Sequence, residues 1–451
     1  MENKDLEMMD LNEEQRTEEM PQVDWANVHV ESEKNSFWQK HKYGVGIATG
    51  VGGVLLVLLV VFALFSFSGY VLVLGGGKVE SLKDSNILDD QAIDKLNEIY
   101  DEIFIRYYEE YDVKDLQEAI YKGMVAGLED PYSEYYTAEE YKDFMVSTSG
   151  VYYGIGAGLS QDLKTMEVTV TKVYSGTPSE EAGLMNGDKI LTVNDIDATS
   201  MEVSELVQHI RGEEGTVVHI QVYRESTDEI LEFDVERRNV VLPSVEEELL
   251  DGGIGYFQIT GFQEKTAEQF KEKVENLQSQ GMVGMIVDVR GNPGGYLHSV
   301  NDILDTILPE GLLVYRENKY GMRTEYYADD ASYIDMPIVV LMDENSASAS
   351  EIFAGAIKDY EYGTLVGTTT FGKGIVQETH ILSNGDAIKL TTDKYFTPNG
   401  NYIHGVGIEP DIVVEYEYSG PEGQPYDKQY DNQFVKALEV MKEKLSSETN
   451  N

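Results

Sequence analysis

The sequence predicts an α/β protein: a core of mixed sheet and helices, a second unit of short strands, an N-terminal helical region and one transmembrane helix. Three observations carry this prediction. Residues 239–417 alternate apolar strand-like runs with amphipathic helical stretches. Residues 147–238 change to short alternating strands separated by glycine turns. Residues 43–77 run 35 positions without a charge.

Composition bounds the function. A length of 451 residues allows about two to four folded units. With 41% hydrophobic and 10% aromatic residues the chain can build cores, which excludes wholesale disorder. The 82 acidic and 34 basic side chains leave a net charge of −48, so the acidity belongs to surfaces that repel phosphate backbones, and nucleic acid is not a predicted partner. The absence of cysteine removes disulfides, thiolate metal sites and cysteine nucleophiles.

Taken in order, residues 1–42 form an acidic tail, with eleven acids and two bases before residue 34. Residues 43–77 are long enough to span a bilayer, which needs about 20 apolar residues, and too far from the start for a cleaved leader. Lys34, Lys40 and Lys42 precede the span and place the N-terminus in the cytoplasm, so a single-pass cell-membrane protein with its large C-terminal part outside the cytoplasm is expected.

Residues 84–146 read as helical. Ile93, Leu96, Tyr100, Phe104 and Tyr107 share one face; Leu116, Ile120, Met124 and Leu128 share another, up to the break at Asp130-Pro131. Thr137 to Glu140 has the form of a capping box ahead of a third helix. Dimerisation or docking is one use for such a region, which allows a homodimer; a spacer with its own small core is the other.

In residues 147–238, Met166 to Val173 alternates as a strand, and Val203, Leu206, Val207 and Ile210 mark an amphipathic helix. Tyr153-Gly154-Ile155-Gly156, followed by Gly176 to Asp188, resembles a PDZ domain. A glycine-rich turn of this kind lets successive N–H groups converge on a peptide carboxylate, while a strand edge pairs with the arriving chain.

The core, 239–417, is predicted to hold strands at Ile254–Thr260, Val283–Val289 and Pro337–Met342 and helices at Glu264–Ser279 and Glu351–Tyr360. Residues 418–451 form a helical tail, amphipathic from Gln429 to Leu445, whose stripe of Phe434, Leu438, Met441 and Leu445 packs back or meets another subunit.

Three segments of the core carry chemistry. Asp288 to Gly295 follows an apolar strand with glycines that free N–H groups toward a cavity. Asp343 to Glu351 joins another such strand to a helix, where a hydroxyl lies near the positive helix end and amides can receive an oxyanion. Thr370 to Gln377 places Lys373 between two glycines in an apolar strand, where desolvation favours a neutral amine able to deprotonate a serine. Spacing alone does not choose among Ser346, Ser348 and Ser350, and Ser348 with Glu351 also reads as a helix cap.

Together with Asp130-Pro-Tyr-Ser133 and the segment from Tyr395 to Asp411, these motifs resemble the C-terminal processing peptidases of the S41 serine protease family over residues 84–445. The resemblance implies a mixed-sheet, crotonase/ClpP-like core with an inserted PDZ domain. It implies a serine endopeptidase with Ser348 as nucleophile, Lys373 as general base and Gln377 orienting the lysine from the same strand face, with the backbone N–H groups of Ala349 and Gly294 as oxyanion donors. Substrates would be polypeptides with free C-termini, captured by the PDZ domain, which is expected to gate activity by moving. No cofactor or metal is expected. The alternatives are a catalytically silent PDZ scaffold, or an ester hydrolase using His298, His380 or His404 in a Ser-His-Asp arrangement.

Overall fold

The computed structural model describes residues 87–329, 334–421 and 423–448. The acidic tail and the predicted span at 43–77 lie outside these residues, and among the described residues no helix is long and apolar enough to cross a membrane.

Helices α1 (Asp90–Arg106) and α2 (Val113–Ala126) follow the apolar periodicity of the sequence. α2 stops at Gly127, so Leu128, expected on its apolar face, lies past the helix end. After β1 (Glu134–Tyr136), helix α3 (Ala138–Ser149) opens with the predicted capping box: Glu140 N–H donates to Thr137 Oγ1 (3.2 Å) and Thr137 N–H to Glu140 Oε2 (2.9 Å). The helix runs to Ser149, so the boundary expected at 147 falls inside its last turn.

The PDZ-like unit follows as β2 (Val151–Gly154), β3 (Ala157–Gln161), β4 (Val168–Val173), α4 (Pro178–Ala182), β5 (Lys189–Val193), β6 (Ile196–Asp197), α5 (Val203–Ile210), β7 (Val217–Arg224), β8 (Glu229–Glu236) and β9 (Arg238–Val241). β2 pairs with β9, which brings the unit's entry and exit together. The other strands form a sheet in the order β3-β4-β5-β7-β8, with β6 on β5. Its inward residues, among them Val168, Val170, Ile190 and Val222, bury Leu206 and Ile210 of α5.

The remaining elements are β10 (Val245–Leu250), β11 (Ile254–Ile259), α6 (Thr266–Ser279), β12 (Gly284–Asp288), α7 (Leu297–Ile307), β13 (Gly311–Asn318), β14 (Arg323–Ala328), β15 (Ile338–Met342), α8 (Ala349–Asp359), β16 (Gly363–Gly367), β17 (Ile375–Ile381), β18 (Ala387–Phe396), β19 (Ile412–Val413) and α9 (Asn432–Glu448). A six-stranded sheet runs β10-β11-β12-β15-β16-β19, parallel from β11 onward. Alternate residues serve its two faces. Met285, Val287, Ile338 and Val340 pack on Phe270, Ile303 and Phe353 from the helices α6, α7 and α8, whereas Ile286, Val339 and Leu341 pack on Phe434 and Met441 of α9. Burial on both sides explains why β12 and β15 read as unbroken apolar runs. It also shows that the tail helix packs back on its own chain. A second sheet, β1-β18-β13-β14 with β17 on β18, was not legible in the sequence.

At the end of β12 the chain is pinned by ions. Arg290 donates to both oxygens of Asp288 (2.7–3.2 Å), to Asp431 Oδ2 (2.8 Å) and to Gln433 Oε1 (2.9 Å), and both carboxylates are buried. Tyr256 and Tyr426 hydroxyls donate to Asp288 and Asp431 (2.8 and 2.6 Å). Removing Arg290 would strand two buried carboxylates, so Arg290→Ala is expected to lose about 3–5 kcal/mol in chemical denaturation. An unchanged unfolding midpoint would contradict this role.

Candidate functional site

The loops after β12, β15 and β16 leave the carboxyl ends of three adjacent parallel strands, the place where open α/β sheets bind ligands. They carry Gly294, Ser348 and Lys373, respectively. A cleft of about 890 Å³ is lined by Gly294, Ser348, Ala349, Lys373 and Gln377, so five of the predicted site residues meet in one cavity.

Ser348 is the N-cap of α8, at φ +55° and ψ −112°. Ordinary N-caps take extended backbone. A positive φ in a residue with a side chain costs on the order of 1–3 kcal/mol and has to be held by its surroundings. The neighbouring serines are committed elsewhere: Ser346 Oγ donates to Val289 O (2.8 Å) and Ser350 Oγ to Asn292 O (2.9 Å), both fully buried. Ser348 is the one of the three that lines the cleft.

What holds Ser348 is Glu351, a fully buried carboxylate that the sequence showed only as a capping partner. Its Oε2 accepts the N–H of Ser348 (2.8 Å) and also the N–H of Lys373 (2.8 Å). Its Oε1 accepts Gly372 N–H and Thr370 Oγ1–H (both 2.7 Å). On the other side the buried Tyr395 hydroxyl contacts the carbonyls of the same two residues, Ser348 (3.1 Å) and Lys373 (2.5 Å). The two backbones are thus joined at their N–H groups by one carboxylate and at their carbonyls by one phenol. The Tyr395 hydroxyl is held well above its ordinary titration range, by burial first and by Glu351 next, so it stays a donor.

Lys373 lies in the turn before β17, not within the strand, and a register shift falls between Val376 and Gln377. The expected shared strand face for Lys373 and Gln377 is therefore absent, although both side chains line the cleft. Lys373 Nζ stands 4.6 Å from the centre of the Tyr132 ring. Burial pulls its ammonium below the ordinary lysine value, and the charge of Lys389 adds to this; Asp130, Glu351 and Glu134 oppose it. Gln377 donates to Thr391 Oγ1 (3.2 Å), and Thr391 N–H donates to Ser133 Oγ (3.1 Å), which donates to Asp130 Oδ2 (2.7 Å). The Asp130-Pro-Tyr-Ser133 segment therefore supports both residues, a contact invisible in sequence.

Of the two predicted oxyanion donors, Ala349 is the first helical residue, and its N–H is one of the donors that a helix start leaves without an intrahelical partner. Gly294, at φ +105°, packs so close that a Cβ would lie 2.8 Å from Ser348 Cβ and 2.9 Å from Ala349 N. Its own N–H, however, donates to the buried Asn292 Oδ1 (2.9 Å). No hydrogen bond joins a candidate histidine to Ser348: His298 lines the cleft and pairs with Glu264 (3.4 Å), His404 Nδ1 accepts Gly374 N–H (3.4 Å), and His380 lies on β17.

A second groove, about 330 Å³, runs between β3 and α5 and is lined by Ile155, Leu159, Val203 and Val207. Of the predicted loop, Ile155 lines it, whereas Tyr153 and Gly154 are paired in β2 and Gly156 turns at φ +79°. Asp143 of α3 enters this groove and accepts from Gln208 (3.1 Å) and Arg211 (3.3 Å).

Glu351 offers acceptors to four donors, and an amide of the same shape would turn an NH₂ toward some of them. Glu351→Gln is expected to cost at least about 1–3 kcal/mol in stability and to lower turnover with little change in KM; wild-type stability and turnover would remove Glu351 from this role.

Residues 253–414 match the peptidase family S41 model, residues 169–224 a PDZ domain, and residues 75–140 the N-terminal domain of the activating protease CtpB. The carboxy-terminal processing protease CtpB of Bacillus subtilis is 34% identical over 366 residues, covering 79% of this chain and 76% of that protein. CtpA of the same organism is 35% identical over 327 residues, covering 72% and 70%. A solved photosystem II D1 C-terminal processing protease is 27% identical, covering 74% of this chain and 89% of that one at a TM-score of 0.43. The chain belongs to peptidase family S41, with a PDZ domain and a mixed α/β fold, among the serine-type proteases that include the carboxy-terminal processing proteases.

Proposed function

We propose that this protein is a membrane-anchored serine endopeptidase that acts outside the cytoplasm, captures polypeptide C-termini through its PDZ domain and cleaves with a Ser348–Lys373 dyad. The observation that carries the reading is the double bracket of Glu351 and Tyr395, which holds a strained, cleft-facing serine beside a lysine whose charge is disfavoured.

In this mechanism a substrate strand enters the cleft and the Lys373 amine swings from Tyr132 to Ser348, taking the proton from Oγ as Oγ attacks the scissile carbonyl. Charge on the carbonyl oxygen is met by Ala349 N–H at the start of α8 and by Gly294 N–H once it leaves Asn292. Lys373 then protonates the leaving amine, and water hydrolyses the acyl-enzyme by the same route reversed. Gln377 orients the lysine in the engaged state, when it exchanges Thr391 for Lys373. Because only the neutral amine acts as base, kcat/KM rises with pH through the lowered value of Lys373 and is lost below it.

The PDZ groove and the catalytic cleft share helix α3, which sends Asp143 into one and Phe144, Met145, Ser147 and Thr148 into the other. A peptide carboxylate that displaces Asp143 from Arg211 would move this common wall, which is how the PDZ domain gates the site. The uncharged span at 43–77 supplies the anchor. α1 and α2 leave Tyr100, Phe104, Ile120 and Met124 exposed, with Tyr107 exposed just past the end of α1, a surface suited to a second copy of the chain.

A fluorophosphonate probe is expected to label Ser348 and to fail on Ser348→Ala, whereas a silent scaffold would not be labelled. Lys373→Ala is expected to lose turnover by more than about 10²-fold while peptide capture persists. Turnover retained in Lys373→Ala, or lost on replacing a single histidine instead, would overturn the dyad. Mass spectrometry of new C-termini in membrane and secreted proteins, with active enzyme against Ser348→Ala, identifies the substrates.

A further inference from the structure

The lining of the cleft holds a second lysine. Lys389, on β18, is paired in register with Glu134 of β1, and its side chain is only 17% exposed. Its Nζ makes an ion pair with Glu134, contacts the Tyr136 hydroxyl (2.8 Å), and stands 5.3 Å and 5.0 Å from the ring centres of Tyr136 and Phe144. It lines the same cavity as Lys373.

The segment from Asp130 to Tyr136 presents acid and ring alternately: Asp130, Tyr132, Glu134, Tyr136. Lys373 lies over the first ring and Lys389 over the second, with Glu134 between them in sequence. The charges that weigh most on Lys373 are Lys389 from β18, Asp130 and Glu134 from this segment, and Glu351 from α8; Arg316 of β13, Glu378 of β17 and His298 of α7 also line the cleft. Three of the first four are acids that favour the protonated amine. Lys389 is the one cation among them, and it cannot retreat, because Glu134 and Tyr136 hold it.

We propose that Lys389 is a positioning residue for the Ser348–Lys373 reaction: fixed by Glu134 and Tyr136 on the cleft wall, its ammonium keeps the Lys373 amine free of its proton and available as base. The inference rests on the dyad reading above. Desolvation and a neighbouring like charge are the two established ways to make a lysine basic chemistry work near neutral pH, and this cleft combines them. Glu134 has two effects of opposite sign, since it anchors the cation that discharges Lys373 and itself attracts the Lys373 proton.

The test is the pH profile of kcat/KM for the full chain carrying Lys389→Met, Lys389→Arg or Lys389→Met together with Glu134→Gln, with thermal melts on each. Lys389→Met removes the cation and should move the acid limb upward by about half to one pH unit. Lys389→Arg keeps the charge and should leave the limb near the wild-type position. Glu134→Gln removes both the anchor of the cation and an attraction for the proton; in the Lys389→Met background only the second remains, so the limb should move downward relative to Lys389→Met alone. A Lys389→Met enzyme with an unmoved or lowered limb overturns the proposal, as does a rise in KM with no movement of the limb, which would make Lys389 a substrate contact. Should Lys389→Met fail to fold, Lys389→Gln takes its place, and an unmoved or lowered limb there overturns the proposal equally. Lys373→Ala is carried through the same assay: an acid limb that persists there refutes the dyad reading itself, independently of Lys389.

Discussion

One buried carboxylate holds the site together. Glu351 accepts the N–H groups of Ser348 and Lys373 on a single oxygen, and Tyr395 contacts the carbonyls of the same two residues. The loops joined in this way come from different strands, β15 and β16, and nothing in their covalent connection would keep them in register to a fraction of an ångström. Hydrogen bonds to an ionised acceptor in a dry interior are stronger than neutral ones. They can therefore sustain the strained backbone of Ser348 and leave its side chain turned to the cleft, while the amine of Lys373 lies over Tyr132.

The sheet makes this bracket possible. Parallel strands β12, β15 and β16 end side by side, so three loops emerge at one edge. Helices α6, α7 and α8 cover one face and α9 the other, and Arg290 with its two carboxylates fixes the chain where β12 ends and the glycine loop begins. Residues of α3 line both the cleft and the PDZ groove.

The sequence revealed what depends on local pattern. Strands β12 and β15, helix α5, the capping box of α3 and the tail helix all stand within a few residues of their expected limits, because apolar period and capping are encoded by neighbours. The second sheet was missed, since β17 and β18 carry many polar residues on a half-exposed surface and lack a clean alternation. Leu128 was misplaced because Gly127 ends α2 before the proline that seemed to do so. Lys373 was read as a strand residue, whereas Gly372 at φ +87° makes the turn that sets it apart from β17. The motifs nominated Ser348, Lys373 and Gln377, yet Glu351 read only as a helix cap. Its other three donors, in Thr370, Gly372 and Lys373, lie about twenty residues away, and no spacing rule connects them. Tyr132, Ser133 and Thr391 escaped for the same reason: their contacts with the site exist only once the chain has folded.

The arrangement seen is one in which Lys373 rests on Tyr132 and Gln377 on Thr391, so the proposed dyad requires a rotation of side chains about a fixed backbone. The most direct measurement is an experimental structure of Ser348 carrying a peptide-like acyl or phosphonyl group. The expected result is Lys373 Nζ about 3 Å from Ser348 Oγ, with the Glu351 and Tyr395 bonds to both backbones unchanged. Lys373 still seated on Tyr132 with another base beside Ser348, or the two backbones parted from Glu351, would contradict it.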